Sequence, residues 1–427
     1  MTDIRDLFDE AVTGLRPSRL SADEIYQAGR DRWRRRWTAA AGAFVSVGVA
    51  VVLVGVVATS GGSNTVAPPT LPPGTVRWAG LADAEHLYVA VNECGRGTVA
   101  DPSRPPTIGS ETCSELLAST DGGTTWQSRG TLPASTFPLW GGEVRGPQTL
   151  TMPTNPLVRR SPPDDTSQQI SVDGGTTWAP LRSGTQAIET VPDGGWLVYG
   201  YLLDVDGQNL TGSQVMAVDP ASHQARPLRV QPDLRRPTPQ KTTGGLWVSG
   251  LDPATRRPAI AVSHDSGRSW TVTLLPGTTA VSTFAEQVVG APTPAVASWD
   301  GTAAYATWTQ PGPDSTNDTD GSPPTRVYRT TDGGTSWQAV DATNRAGSAS
   351  MGWVCADGRF VLVVDRTAVG DGRLVTQYLV TTDGQSYDAI VPPGLPDTAQ
   401  ADGRIAYTDH AAYTSVDGWT WREVWHD

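Results

Sequence analysis

The chain has 427 residues, a formal net charge of −12, 46 Gly, 34 Pro and 3 Cys. That length allows a short segment plus one large domain, and the Gly and Pro content fits many turns and short strands rather than helices. Residues 1–37 carry 8 Arg against 7 acidic residues and the remainder 24 basic against 37 acidic, so no basic stripe displaces counterions and nucleic acid is excluded as a partner.

Residues 1–37 read as a cytoplasmic helical tail. Ile4, Leu7, Phe8, Ala11, Val12 and Leu15 recur at helical spacing and form one apolar face. Pro17 follows its end, and Ser21 with Glu24 makes a capping-box pattern opening a second helix towards Trp33. Two such helices bury little of their own apolar face. They are either a docking surface for a cytoplasmic protein, within residues 1–30, or a tail on the inner leaflet that sets topology.

No charge occurs from Trp37 to Gly62. Thr38 to Ser60 is read as a transmembrane helix of about 34 Å, enough to cross a hydrocarbon core of about 30 Å. Arg30, Arg32, Arg34, Arg35 and Arg36 precede it, and nothing basic follows until Arg77. The N-terminus is therefore expected in the cytoplasm, with Trp33 and Trp37 at the inner interface. Val56 and Ala58 fit the cleavage rule of a secretory signal. The n-region and the apolar run are too long for one, so an uncleaved anchor is expected. Residues 61–76 read as a Gly/Ser then Pro-rich linker, and residues 77–427 as the extracytoplasmic domain.

One octapeptide pattern recurs in that domain. It reads STDGGTTW at 119–126, SVDGGTTW at 171–178, SHDSGRSW at 263–270 and TTDGGTSW at 330–337. Shortened copies are TTDGQSY at 381–387 and SVDGWTW at 415–421. The residue choice suits a tight turn. Asp121, Asp173, Asp265, Asp332, Asp383 and Asp417 accept backbone N–H bonds. The glycines supply positive φ. The aromatic residues Trp126, Trp178, Trp270, Trp337, Tyr387 and Trp421 plug the space beside neighbouring strands. The turn is a folding device rather than a ligand site.

The Asp121 to Asp417 series has one gap of double length, between 173 and 265, and Asp219 lies halfway along it after an apolar run. Taken as a decayed copy, it gives seven units, a period that means an all-β, seven-bladed propeller. The count falls to six if the Asp219 unit or the short last unit forms no sheet. Short strands recur in each unit, as in HLYVAVNEC, GGWLVYGYL, GLWVSGL, GTAAYATWTQ and RFVLVVDR.

The repeat resembles the Asp-box, or BNR, repeat of sialidase-like and sortilin-like propellers, here in a membrane-anchored, actinobacterial-type chain. The N-terminal MTDIRDLFDEAV is also similar to cytoplasmic leaders of actinobacterial membrane proteins linked to extracytoplasmic-function sigma factors. Residues 1–60 hold no His or Cys, so the zinc-binding signature of many anti-sigma domains is missing. The Asp-box resemblance implies that the turns lie between the third and fourth strands of each blade and that ligands sit on the opposite face. Loops 95–112, 159–169, 203–212, 310–325 and 367–373 would crowd that face, where a protein or glycan ligand is expected.

Catalytic signatures are sparse. The sialidase Arg-Ile-Pro motif has only Arg77 in its place, in Thr75-Val76-Arg77-Trp78-Ala79. Asp101, Asp164, Asp206 and Asp314 are among the carboxylates of the candidate loops; a two-carboxylate glycosidase needs a pair at fixed separation. The His residues at 86, 223, 264, 410 and 426 show no ligand spacing. Asp318, Asp320 and Gly321 echo a calcium loop, but Val327 stands where its Glu belongs. No metal and no cofactor are assigned. Cys94 and Cys113 flank the 95–112 loop and are expected to pair, which would contribute about 3 kcal/mol in the chain-entropy model. Cys355 is left as a buried free thiol. The leading reading is a binding module. A sialidase-like hydrolase is the alternative, and a sensor coupled to a cytoplasmic partner is a third reading.

Overall fold

The computed structural model describes residues 75–92, 114–133, 142–153, 165–203, 210–282, 293–309, 325–340, 348–367, 374–396, 399–401, 403–408 and 410–426. The expected tail, anchor and most of the linker lie outside them, as do Cys94 and Cys113. Among the described residues no helix is long and apolar enough to cross a membrane. Ser63–Arg366 and Val375–Asp427 form one compact unit, and its regular structure, in the described residues, is all β.

The strands fall into seven consecutive groups. The first is β1 (Thr75–Leu81), β2 (Leu87–Asn92), β3 (Ser114–Ser119) and β4 (Gln127–Thr131). The second is β5 (Glu143–Gly146), β6 (Thr149–Pro153), β7 (Asp165–Ser171) and β8 (Ala179–Ser183). The third has three strands, β9 (Trp196–Leu203), β10 (Leu210–Asp219) and β11 (Gln224–Pro227). The fourth is β12 (Arg235–Gln240), β13 (Leu246–Leu251), β14 (Pro258–Ser263) and β15 (Thr271–Leu274). The fifth is β16 (Ala295–Ser298), β17 (Ala304–Thr309), β18 (Thr325–Thr330) and β19 (Gln338–Val340). The sixth is β20 (Ser348–Val354), β21 (Phe360–Thr367), β22 (Leu374–Thr381) and β23 (Asp388–Ala389). The seventh is β24 (Gln400–Ala401), β25 (Ile405–Tyr407), β26 (Ala411–Thr414) and β27 (Arg422–His426). Within each group, strands consecutive in sequence are neighbours in the sheet, and both the Asp219 unit and the last unit form sheets.

Burial explains the sequence of each strand. The middle strands β13, β14 and β17 are buried almost throughout. Each lies between two neighbouring sheets and reads as a continuous apolar run rather than an alternation. The fourth strands face water: β4, QSRGT, is exposed along nearly its whole length.

Seven apolar clusters lie at the seams between successive groups. Trp78 and Leu116 meet Val144 and Leu150 at the first seam. Ile170 and Leu181 meet Trp196 and Val218 at the second. Val215 and Ala217 meet Val248 and Ala261 at the third. Trp247 and Ile260 meet Ala306 and Trp308 at the fourth. At the fifth, Tyr305 stacks on Phe360 with ring centroids 4.4 Å apart. Trp353 packs edge-on to Trp421 at the sixth. The seventh closes the ring: Val76, Leu87, Leu117 and Trp126 pack on Ile405, Ala412 and Trp425. Trp126 Nε1 donates to the Val424 carbonyl at 3.2 Å, and Arg422 donates to the Gly122 carbonyl at 2.7 Å. A ring of sheets packed face to face is a β-propeller.

The third group departs from the pattern. It lacks a first strand, although Gly184–Val191 precedes β9 where one is expected. The N–H groups of Arg182, Gly184 and Ile188 donate instead to the carbonyls of His223, Ala225 and Pro227. This run lies parallel to β11 and joins the second and third groups into one seven-stranded sheet. Strand β9 stands at one edge of that sheet and β5 at the other.

Candidate ligand-binding site at the ring axis

The recurring octapeptides form turns between third and fourth strands with one hydrogen-bond scheme. In the first, Ser119 Oγ donates to Asp121 Oδ1 at 2.8 Å and accepts from Gly123 N at 2.7 Å. Thr125 N donates to Asp121 Oδ1 at 2.8 Å, and its hydroxyl donates to Oδ2 at 2.7 Å. The same bonds recur about Asp173, Asp265 and Asp332. Asp383 and Asp417 accept from two successive backbone N–H groups each. Asp219 accepts from Ala221 N and from the Ser222 hydroxyl. The aromatic residues Trp126, Trp337, Tyr387 and Trp421 are buried; Trp178 and Trp270 are partly buried, each with its indole N–H on a carbonyl.

These bonds favour the ionised carboxyl. The Thr125 hydroxyl and amide, with the Ser119 hydroxyl, hold Asp121 at about 2. Ser336 and Thr330 hold Asp332 at about 2 in the same way, and the amides of Ser386 and Gln385 hold Asp383 there. The carboxylates are committed to turn geometry. Asp173→Ala is therefore expected to lower stability by about 1–3 kcal/mol, the cost of stranding turn donors, without selective loss of ligand binding. Chemical denaturation and a binding assay on the same variant check this.

In each four-stranded group the first and third strands run the same way. The turns between first and second strands therefore lie at the same end of the ring as the Asp-centred turns. A cavity of about 520 Å³ occupies the ring axis at that end. Its walls come from first strands and the turns that follow them, among them Leu81, Lys241, Trp299 and Arg404, with Tyr305 and Phe360 of second strands. The predicted loop-rich face is the other end, and most of its loops, with Asp101, Asp164, Asp206 and Asp314, lie outside the described residues.

Backbone contact fixes the rim of this cavity. Gly244 has φ +74°, and a Cβ there would stand 2.3 Å from the Asp300 carbonyl oxygen. Only glycine lets the turn of the fourth group rest on that of the fifth. The Thr243 hydroxyl donates to the Trp299 carbonyl. The Arg404 guanidinium, from the seventh group, stacks 4.2 Å from the centroid of the Trp299 ring.

A second cavity of about 280 Å³ shares Gln240 and Thr242 with the first. It lies in the third group's sector, where the missing strand leaves Trp196 and Leu197 of β9 as part of the wall. Arg145 lines it, ion-paired to Glu143, with its guanidinium 5.4 Å from the Trp196 ring centroid.

Among the described residues no carboxylate lines either cavity, and no group of three His, Cys, Asp or Glu is placed to hold a metal. Arg77 sits at a bulge in β1 and lines neither cavity. Cys355 is buried, donates its thiol to the Gly418 carbonyl at 3.2 Å, and is pushed up to about 12 by burial. The residues that do line the axis, Trp299, Arg404, Arg145, Trp196 and Trp247, escaped the sequence reading. Their shared signal is an aromatic or basic residue beside the turn between first and second strands.

No protein-family model matches the chain, and no curated protein matches it. Solved structures do. YCF48 bound to a D1 peptide is 13% identical, with a TM-score of 0.30 and 83% of each chain covered. The α-L-arabinofuranosidase Arb93A from Fusarium graminearum is 13% identical, with a TM-score of 0.35, covering 83% of this chain and 94% of that one. The β-propeller domain of the Trilobed protease from Pyrococcus furiosus is 8% identical, with a TM-score of 0.44, covering 82% of this chain and 95% of that one.

Proposed function

We propose that the chain is a single-pass membrane protein whose residues 77–427 form a seven-bladed Asp-box propeller outside the cytoplasmic membrane and act as a binding module for a protein or glycan. The observation that carries this reading is the axial cavity of about 520 Å³, walled by apolar side chains and rimmed by Trp299, Arg404 and Lys241. Ligand sites are concave, mostly apolar and carry a few convergent polar groups. The test uses the full chain in nanodiscs on glycan and peptide arrays. Ligands are expected to be retained and then lost in Trp299→Ala and Arg404→Ala variants that melt normally. Turnover of a fluorogenic sialoside by the same sample would replace this reading with the hydrolase.

The membrane part rests on the uncharged stretch of Thr38 to Ser60 and the arginines before it. Protease added to intact spheroplasts is expected to remove everything after residue 76 and to spare a tag at Met1. Loss of that tag would reverse the orientation.

A further inference from the structure

The smaller axial cavity has an unusual set of walls. Arg145, Trp196, Thr242 and Trp247 all line it. Each also carries a buried polar atom with no hydrogen-bond partner in the protein: Arg145 Nε, Trp196 Nε1, Thr242 Oγ1 and Trp247 Nε1. Three of these atoms are obligate donors and the fourth is a hydroxyl. Trp196 and Trp247 are 5% and 1% exposed, so their indole N–H groups are far from bulk solvent. Sixteen such side-chain atoms occur among the described residues, and four of them belong to residues that line this one cavity, a concentration that an occupant rich in acceptors would satisfy.

Charge points the same way. The chain has 44 acidic residues against 32 basic ones. Nevertheless the described linings of the two neighbouring cavities contain Arg145, Lys241 and Arg404 and no carboxylate. The Arg145 charge is already paired with Glu143, so it is the unmatched donors, with the exposed Lys241 and Arg404 nearby, that suit the site to an anion. Beyond Gln240 and Thr242, which the cavities share, the larger one offers apolar wall at Val144, Val296 and Phe360.

We propose that this cavity is a carboxylate-binding site, with the carboxylate oxygens on Arg145, Trp196, Thr242 and Trp247 and the ligand's apolar portion in the larger cavity. The proposal rests on the binding-module reading and gives that module a ligand class: an organic acid, free or borne by a peptide. No bond is made or broken in binding. The missing strand of the third group is what makes the room.

The test is titration of the full chain, ¹⁵N-labelled at its Trp indoles, with phenylacetate, its neutral amide phenylacetamide, and short peptides ending in a free carboxylate or in an amide. Phenylacetate is expected to shift two indole N–H signals, those absent from Trp196→Phe and Trp247→Phe, while the amide binds at least tenfold more weakly. Each Phe variant keeps a ring and loses only the donor, so at least tenfold weaker carboxylate binding with an unchanged melt is the expected mark of the site. Arg145→Met is expected to weaken binding by a similar factor. Saturation by peptide carboxylates but not by phenylacetate assigns the acid to a peptide; the reverse assigns it to a free small molecule. Equal binding of acid and amide, or no indole shift with any carboxylate, overturns the proposal. Array ligands that survive such a failure leave the module reading standing; carboxylate binding without any array ligand removes the module reading and keeps the site.

Discussion

Trp425→Ala is expected to destabilise the fold by about 3–5 kcal/mol, the range for emptying a large aromatic site in a core. Trp425 is 2% exposed and belongs to the cluster that joins the last group of strands to the first. Its indole nitrogen has no protein partner, so the loss is one of packing. The position matters because every group is contiguous in sequence. Among the described residues no strand is exchanged between the first and last sheets, and closure depends on side chains with the Trp126 and Arg422 hydrogen bonds. Guanidinium denaturation followed by tryptophan fluorescence measures the effect. Trp425→Phe, which keeps most of the volume, should recover more than half of it. A loss below about 1 kcal/mol in the alanine variant would show that the seam lies outside the cooperative core.

Acid should unfold the chain over a defined window. The carboxyls of Asp121, Asp332 and Asp383 sit at about 2 in the folded state, and that of Asp265 is lowered by the Ser269 hydroxyl and amide. The unfolded value is about 3.9. A lowered folded pKa means that the unfolded chain takes up protons first as pH falls. The stability these groups contribute is therefore fully present above about pH 4 and is lost progressively as pH falls to about 2. The carboxyls are solvent-exposed, so each effect is screened; repetition around the ring makes the sum observable. In a constant low concentration of urea, native fluorescence should hold at pH 4.5 and collapse between about pH 4 and pH 2. Asp332→Asn, which cannot ionise, should flatten the profile. A stability that stays level from pH 5 to pH 2 would remove the turns as its source.

The ring was legible in the sequence because each unit repeats one local device. A turn such as STDGGTTW makes its bonds within eight residues, so its chemistry is readable without knowing the partners. The decayed copy at Asp219 was legible for the same reason, since Ala221 and Ser222 still satisfy its carboxylate. The missing strand was not. Gly184–Val191 has the position of a first strand, but its backbone meets β11, which lies some forty residues on (positions 224 to 227). Nothing local distinguishes those two pairings. The axial site was hidden differently. Thr242 and Trp247 flank one turn, but Arg145, Trp196, Trp299 and Arg404 come from separate turns or strand ends, and no spacing along the chain links them to that turn.

The thin third group also bears on how the ring deforms. Where two four-stranded sheets face each other, close-packed side chains leave few voids and resist compression. The sector between β5 and β12 instead spans a void of about 280 Å³ behind a strand edge. Walls that face a cavity forfeit dispersion contacts on that side, while the third group keeps its packing at the two seams. With three strands instead of four, this sector is expected to yield before the others when the ring is distorted.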